Sequence, residues 1–273
     1  MRTATSPIRG SILGTSAAAI MLAAAGCGGG GGGEAARPDP AQFTTKIDNR
    51  WWPMTPGNRW RYRETDQEGS KQRVVVTVTY RTKKIANGVT ARIVRDTVSE
   101  HGRIVEDTFD WYAQDQHGNI WYLGEDTAEF ERGKLTTKAG SFEAGVDGAT
   151  AGIIMPAHPR DDQAYREEYY KGRAEDRGEV MGTHEMAQSP YGFFEHALMI
   201  KDTTPLEPRV LEYKLYAPGI GPVVTVGVSG GPGSREELLA FDTAPARWVK
   251  QAGAAPLGRG PTLPPPRASA APR

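Results

Sequence analysis

The residues best equipped for chemistry crowd into one stretch, Arg92 to Glu131, where carboxylic acids and aromatic rings interleave. Asp96 and Asp107 sit on two strand-like runs joined by His101-Gly102. If those two residues are the whole loop, Glu100 pairs with Arg103, and counting outwards sets Asp96 opposite Asp107 and Val98 opposite Val105. Facing carboxylates on the apolar side of a hairpin repel unless they share a proton, hold a cation or borrow a base. With Gly102 as the bulge of a three-residue loop, Arg95 meets Asp107 instead, as a plain cross-strand ion pair. The second register is preferred, because His is a poor first residue for a tight turn and an uncompensated acid pair is unfavourable.

The next turn is flanked by Trp111, Tyr112, Trp121 and Tyr122, with Asp110 and Glu125 beside them. Rings next to carboxylates suit a sugar, whose apolar face stacks on the ring while its hydroxyls donate to the acid. At a suitable separation, two such carboxylates would also suit glycoside hydrolysis. The plainer reading makes the rings the core of a hairpin and the acids its solvated or ion-paired edge.

Other motifs are weaker. Gly227-Val228-Ser229-Gly230-Gly231 matches the letters of a nucleophile elbow, but no His follows it and Pro232-Gly233 stands where a helix should begin, so a glycine-rich loop between strands is expected. The five histidines form no pair at ligating spacing, and Asp161-Asp162, Glu167-Glu168 and Glu175-Asp176 lack the spacing of a calcium loop. No metal site, cofactor or catalytic set is therefore assigned. The glycine-rich segment from Ala139 to Pro159, with Gly140, Gly145, Gly148, Gly152 and His158, is long enough for a mobile cover over a cavity.

These residues need a frame and an address. The chain of 273 residues carries 33 basic and 33 acidic side chains, which argues against an extended nucleic-acid-binding face. Arg2 and Arg9 precede an apolar run, Ile12 to Ala25, too short to span a bilayer comfortably but suited to an export signal. It closes on Ala24-Ala25-Gly26-Cys27, which resembles the lipobox of bacterial lipoproteins, with Ala24 in place of the usual Leu. Cys27 is the one cysteine in the chain, and the resemblance implies that it carries the lipid anchor facing the extracytoplasmic side of a membrane.

Residues 1–26 thus read as a lipoprotein signal peptide and 27–42 as a tether opened by the six glycines Gly28 to Gly33. Residues 251–273, rich in Pro and Ala, lack the apolar content of a core and read as a disordered tail. The body, 43–250, keeps 27 of the basic and 31 of the acidic residues.

Within the body, strand signals dominate: Arg73 to Tyr80, Val89 to Glu100, Arg103 to Tyr112, Ile120 to Glu125, Val210 to Tyr216 and Pro222 to Val228, separated by Asn87-Gly88, His101-Gly102, His117-Gly118-Asn119 and Arg132-Gly133. Helix is expected only in short stretches such as Asp162 to Tyr170 or Arg235 to Ala240. The fold class is mainly β, an antiparallel meander with few short helices, curled into a half-barrel or barrel because little else can cover its apolar face. Such barrels often enclose a ligand cavity.

Three stretches carry a resemblance: Trp51-Trp52-Pro53-Met54 with Pro56-Gly57-Asn58-Arg59-Trp60-Arg61-Tyr62, then Asp110 to Asp115 with Gly118 to Tyr122, and Tyr216-Ala217-Pro218-Gly219-Ile220-Gly221-Pro222-Val223. Together they resemble uncharacterised bacterial envelope lipoproteins and, more loosely, half-barrel periplasmic proteins that include acyl-chain carriers. That wider likeness is fold-level and brings no catalytic residues with it. The anchor, the tether and the abundance of hairpins point to an exported, lipid-anchored, non-enzymatic protein whose cavity or aromatic rim binds a small apolar or sugar-like ligand. Two other classes stay open: a secreted hydrolase using Asp96, Asp107, Asp110 and Glu125, and a scaffold docking another envelope protein.

Overall fold

A computed structural model describes residues 39–65, 69–228 and 233–263. Cys27 and the tether as far as residue 38, like Ser229, lie outside the described residues, and the tether's last residues, Pro40–Gln42, form one 3-10 turn. The strands are β1 (Phe43–Thr44), β2 (Asn58–Thr65), β3 (Lys71–Lys84), β4 (Thr90–Glu100), β5 (Arg103–Asp115), β6 (Ile120–Glu131), β7 (Lys134–Thr137), β8 (Phe142–Glu143), β9 (Thr150–Met155) and β10 (Ala164–Arg166). They continue with β11 (Glu168–Tyr169), β12 (Arg177–Ser189), β13 (Gly192–Thr203), β14 (Leu211–Ala217), β15 (Gly221–Gly227) and β16 (Arg235–Thr243), and a helix, α1 (Ala246–Ala254), follows.

Neighbours in the sheet run β10-β12-β13-β14-β15-β16-β2-β3-β4-β5-β6-β9-β11, all antiparallel. The last strand, β16, pairs with β2 along its length and so joins the end of the domain to its beginning. The two ends of the path, β10 and β11, are halves of one stretch of chain: Ala164–Arg166 ladders onto β12, and Glu168–Tyr169 onto β9. The sheet is therefore a barrel closed except at one seam, around Glu167.

The run Arg73-Val-Val-Val-Thr-Val-Thr-Tyr has no clean alternation because β3 is covered on both sides. Val74, Val76 and Val78 face the barrel interior, in the main core with Trp60 and Leu238. Outside, α1 lies over β3, with Trp248 Nε1 donating to Thr77 Oγ1 at 3.1 Å and Gly253 packed on Thr79. A second, smaller core sits on the outer face of β4, β5 and β6 and includes Ile93, Trp111, Ala113 and Leu123.

Three expectations are corrected here. Asp162 to Tyr170 and Arg235 to Ala240, expected as helix, supply strands β10, β11 and β16; pairing with β12, β9 and β2 overrides their helix-forming composition. The helix lies further on, and the folded body runs past residue 250: Arg95 donates to the carbonyls of Ala252, Ala255 and Pro256 at 2.7 to 2.9 Å, and Gly258 N–H donates to Asp107 Oδ2 at 2.8 Å. Hydrogen bonds to a buried ion pair, together with the buried Val249 and Ala252, hold this segment.

Candidate functional site: an acid-lined barrel interior

The β4–β5 hairpin settles the register question in a third way. His101 and Gly102 do form a two-residue turn, both with positive φ (50° and 78°), and Glu100 pairs with Arg103 as first counted. A bulge then intervenes: Ser99 pairs with Ile104 but Val98 with Glu106, so Val105 is the extra residue. Every later residue shifts by one. Asp96 faces Thr108, Asp107 faces Thr97, and the two acids lie on opposite faces of the sheet. They are not a pair.

Asp107 is instead the anchor of the outer face. Its carboxylate accepts Arg95 Nε at 2.8 Å and Nη2 at 2.5 Å, Thr97 Oγ1 at 2.9 Å and the Gly258 N–H, with Arg95 at 1% and Asp107 at 0% exposure. The expected Arg95–Asp107 ion pair thus exists, but diagonally. Asp96 is left on the inner face, 9% exposed, and its Oδ1 is buried with no hydrogen-bond partner.

The aromatic cluster is split in the same manner. Trp111 and Trp121 point outwards: Trp111 under Lys83 Nζ at 4.4 Å, Trp121 edge-on to Phe43 and donating through Nε1 to Asp115 Oδ2 at 2.8 Å. Tyr112 and Tyr122 point inwards and stack at 5.2 Å. Asp110 and Glu125 are also inside and stand directly opposite each other in the β5–β6 ladder. Tyr122 and Glu125, three residues apart, share a face because Gly124 between them has φ of 124° and takes up a bulge. A Cβ at Gly124 would lie 2.2 Å from the Phe142 carbonyl oxygen.

The hydroxyl of Tyr122 lies 3.0 Å from Asp110 Oδ1 and 3.0 Å from Glu125 Oε2. It has one proton to donate, so both contacts are hydrogen bonds only if one carboxyl is itself protonated and donates to the phenol oxygen. Burial pushes Asp110 up to about 7, against the opposing pull of the Tyr122 hydrogen bond. Glu125 is driven well above the carboxylate range by burial and by the neighbouring Asp110 charge. Both acids are pushed the same way. A glycosidase separates its pair into a protonated acid and an ionised partner around a substrate, whereas here a buried phenol fills the space between them.

Beside Glu125 the barrel interior holds a cavity that opens to solvent, about 660 Å³ of empty space when the solvent at its mouth is counted. Its wall carries the rings of Trp52, Trp60, Tyr62 and Tyr216, five acids (Glu64, Asp96, Glu106, Glu125 and Glu236) and one base, Lys214. Burial, then mutual repulsion, raises Asp96, Glu106 and Glu236 well above the ordinary carboxylate range. Burial works against the Lys214 ammonium, but Asp202 and its other anionic neighbours outweigh it and hold the pKa well above the usual lysine value. Lys214 Nζ is 2.6 Å from Asp202 Oδ2 and 4.0 Å from Glu212. Its charge is thus committed to Asp202.

Most of these wall residues belong to no recognisable motif, although period-two spacing carries the signal. Trp60, Tyr62 and Glu64 alternate on β2; Val94, Asp96 and Val98 on β4; Glu106, Thr108, Asp110 and Tyr112 on β5; Lys214 and Tyr216 on β14. On each strand the acid or base falls in phase with the core residues. The stretches Trp51 to Tyr62 and Tyr216 to Val223 meet beside this interior. Trp60 Nε1 donates to the Ile220 carbonyl at 2.8 Å, Tyr62 Oη to the Pro222 carbonyl at 3.0 Å, and Gly219 N–H to the Arg50 carbonyl at 2.7 Å.

The expected lid is wall, not cover. Within it β8 and β9 ladder onto β6, and Phe142, Ala144, Ala149, Ile154 and Met155 are buried. Gly145 and Gly152 lie against backbone, where a Cβ would come within 2.7 Å of Asn87 N and 2.3 Å of the Arg166 carbonyl oxygen. Gly140 and Gly148 occupy turns with φ of 95° and 82°, and His158 is exposed. The serine motif begins at the end of β15, and a strand, β16, follows it at Arg235 where an elbow needs a helix.

No family model and no curated protein matches the chain. Among solved structures it is similar to a candidate exported protein with a YmcC-like fold from Bacteroides fragilis, at 17% identity over 70% of this chain and 98% of that one, with a TM-score of 0.41. It is also similar to a candidate lipoprotein from Parabacteroides distasonis, at 14% identity over the same shares, with a TM-score of 0.40. Both scores are too low to argue a shared fold. Among the described residues no helix is long and apolar enough to cross a membrane.

Proposed function

We propose that this chain is an exported, lipid-anchored envelope protein that acts as a non-enzymatic binding module, with the barrel interior as its ligand site. The export signal, Cys27 and the glycine tether support the address. A single observation supports the binding role: a cavity lined by aromatic residues and acids, among them Asp96, one of whose carboxyl oxygens is buried without a hydrogen-bond partner. A buried acceptor without a partner costs about 1–3 kcal/mol, which a guest bearing a hydrogen-bond donor recovers. The wall carries carboxyls as well as rings, so the reading moves towards a small molecule with both an apolar surface and polar hydrogens.

Native mass spectrometry on protein released gently from its membrane tests this. The expected spectrum shows a small-molecule adduct, absent from a Val76→Phe variant that fills the cavity while keeping a β-sheet circular-dichroism spectrum. Bare polypeptide from the parent protein, together with no binding of any small-molecule class in titration, would overturn the reading.

A further inference from the structure

Charge is the least ordinary property of the interior. Five acids face one cavity with a single lysine, and that lysine is already paired with Asp202 at 2.6 Å. Carboxyls removed from water must be neutralised, by protons or by a counter-cation, because an isolated buried charge costs far more than either. Within the protein, Tyr122 serves only Asp110 and Glu125. Asp96, 9% exposed, still has an unpartnered Oδ1, and Asp110 Oδ2 beside it is likewise buried without a partner.

A neutral polyol offers donors but no charge, and an acyl chain offers neither. A metal ion is poorly served, since among the described residues no three acids or histidines converge in a ligating group. The rings narrow the choice further. Trp52, Trp60 and Tyr62 share the cavity with Asp96, and electron-rich ring faces attract an organic cation while covering its methylenes.

Resting on the proposed binding role, we infer that the ligand is a protonated aliphatic amine: its ammonium donates to Asp96 Oδ1 and neutralises that one carboxylate, the other interior acids keeping their protons, and its alkyl body lies on Trp52, Trp60 and Tyr62. No covalent step is involved.

Isothermal titration of the full-length protein with butylammonium, butan-1-ol, glucose and decanoate tests the inference. Butylammonium is expected to bind at least tenfold more tightly than butan-1-ol, its uncharged counterpart of nearly equal shape. Asp96→Asn, which keeps the shape but not the charge, is expected to weaken butylammonium binding at least tenfold. The exposed Glu131→Gln is expected to leave it unchanged. Failure of butylammonium to bind, or equal binding of butan-1-ol, overturns the cation assignment. Should glucose or decanoate then bind and compete with filling of the cavity by Val76→Phe, the binding role survives with another ligand class. Should none of the four bind, and native mass spectrometry show no adduct, both fall. If Asp96→Asn fails to fold, the comparison of butylammonium with butan-1-ol on the parent protein still decides.

Discussion

Asp110 and Glu125 stand opposite each other across the β5–β6 ladder, and one phenol hydroxyl, that of Tyr122, lies 3.0 Å from an oxygen of each. The pair keeps a proton that free carboxyls would lose, and the other interior acids are raised in the same direction.

Stability should therefore fall as the solution becomes more basic. An acid whose pKa is raised on folding binds more protons folded than unfolded between its two values, so its contribution is complete below the ordinary carboxylate range, near pH 4, and is lost as pH rises through the folded value, about 7 for Asp110. Asp115 and Glu237, lowered on folding, act oppositely and lose their contribution only as pH falls through their depressed values. Urea unfolding of the empty protein is expected to show a maximum near pH 5 and a loss on the order of a few kcal/mol by pH 8. Glu125→Gln, which removes one titrating partner, should flatten that slope; a stability that climbs from pH 5 to 8 would contradict the shared proton.

Arg95 should hold the C-terminal segment. Removing it leaves Asp107 buried without its cation and frees the carbonyls of Ala252, Ala255 and Pro256. Arg95→Met is expected to cost about 3–5 kcal/mol, and limited proteolysis should then cut first between residues 246 and 260. Adding Asp107→Leu should recover part of the loss. Unchanged protection of that segment in Arg95→Met would show that α1 docks by packing alone.

Gly124 should tolerate no side chain. Its φ of 124° and the Phe142 oxygen 2.2 Å from an added Cβ predict that Gly124→Ala destabilises by at least about 2 kcal/mol and displaces β8 from β6. Hydrogen exchange at Ala144 N–H, which bonds to the Leu123 carbonyl at 3.0 Å, reads that displacement. Wild-type protection in the variant would mean that Glu125 does not depend on this bulge for its inward aim.

Much of the architecture was legible from residues. The β3 to β6 hairpins and the β14–β15 pair lie where β-branched runs and Asn-Gly or His-Gly dipeptides place them, because those signals are local. The candidate site was half legible: Asp110, Tyr112, Tyr122 and Glu125 lie in one stretch of sequence and come together on the inner face. Their neighbours Trp111 and Trp121 point the other way because side chains alternate across a strand. The Val105 bulge could not be read, for no glycine or turn residue marks it, yet it decides that Asp96 faces the cavity and Asp107 the helix. Glu236 was hidden inside a helix-like run, Arg-Glu-Glu-Leu-Leu-Ala, whose strand form is imposed by β2. Closure brings residues far apart in sequence to one interior, and local patterns hold no record of it.

A crystal structure of the protein isolated from its native host, without stripping of bound small molecules, is the most direct measurement. The expected result is density for a guest between Trp60 and Tyr62, with a polar hydrogen-bonding atom within about 3 Å of Asp96 Oδ1. An interior collapsed around its carboxyls, or a guest seated only on the outer face, would contradict the barrel as a binding site.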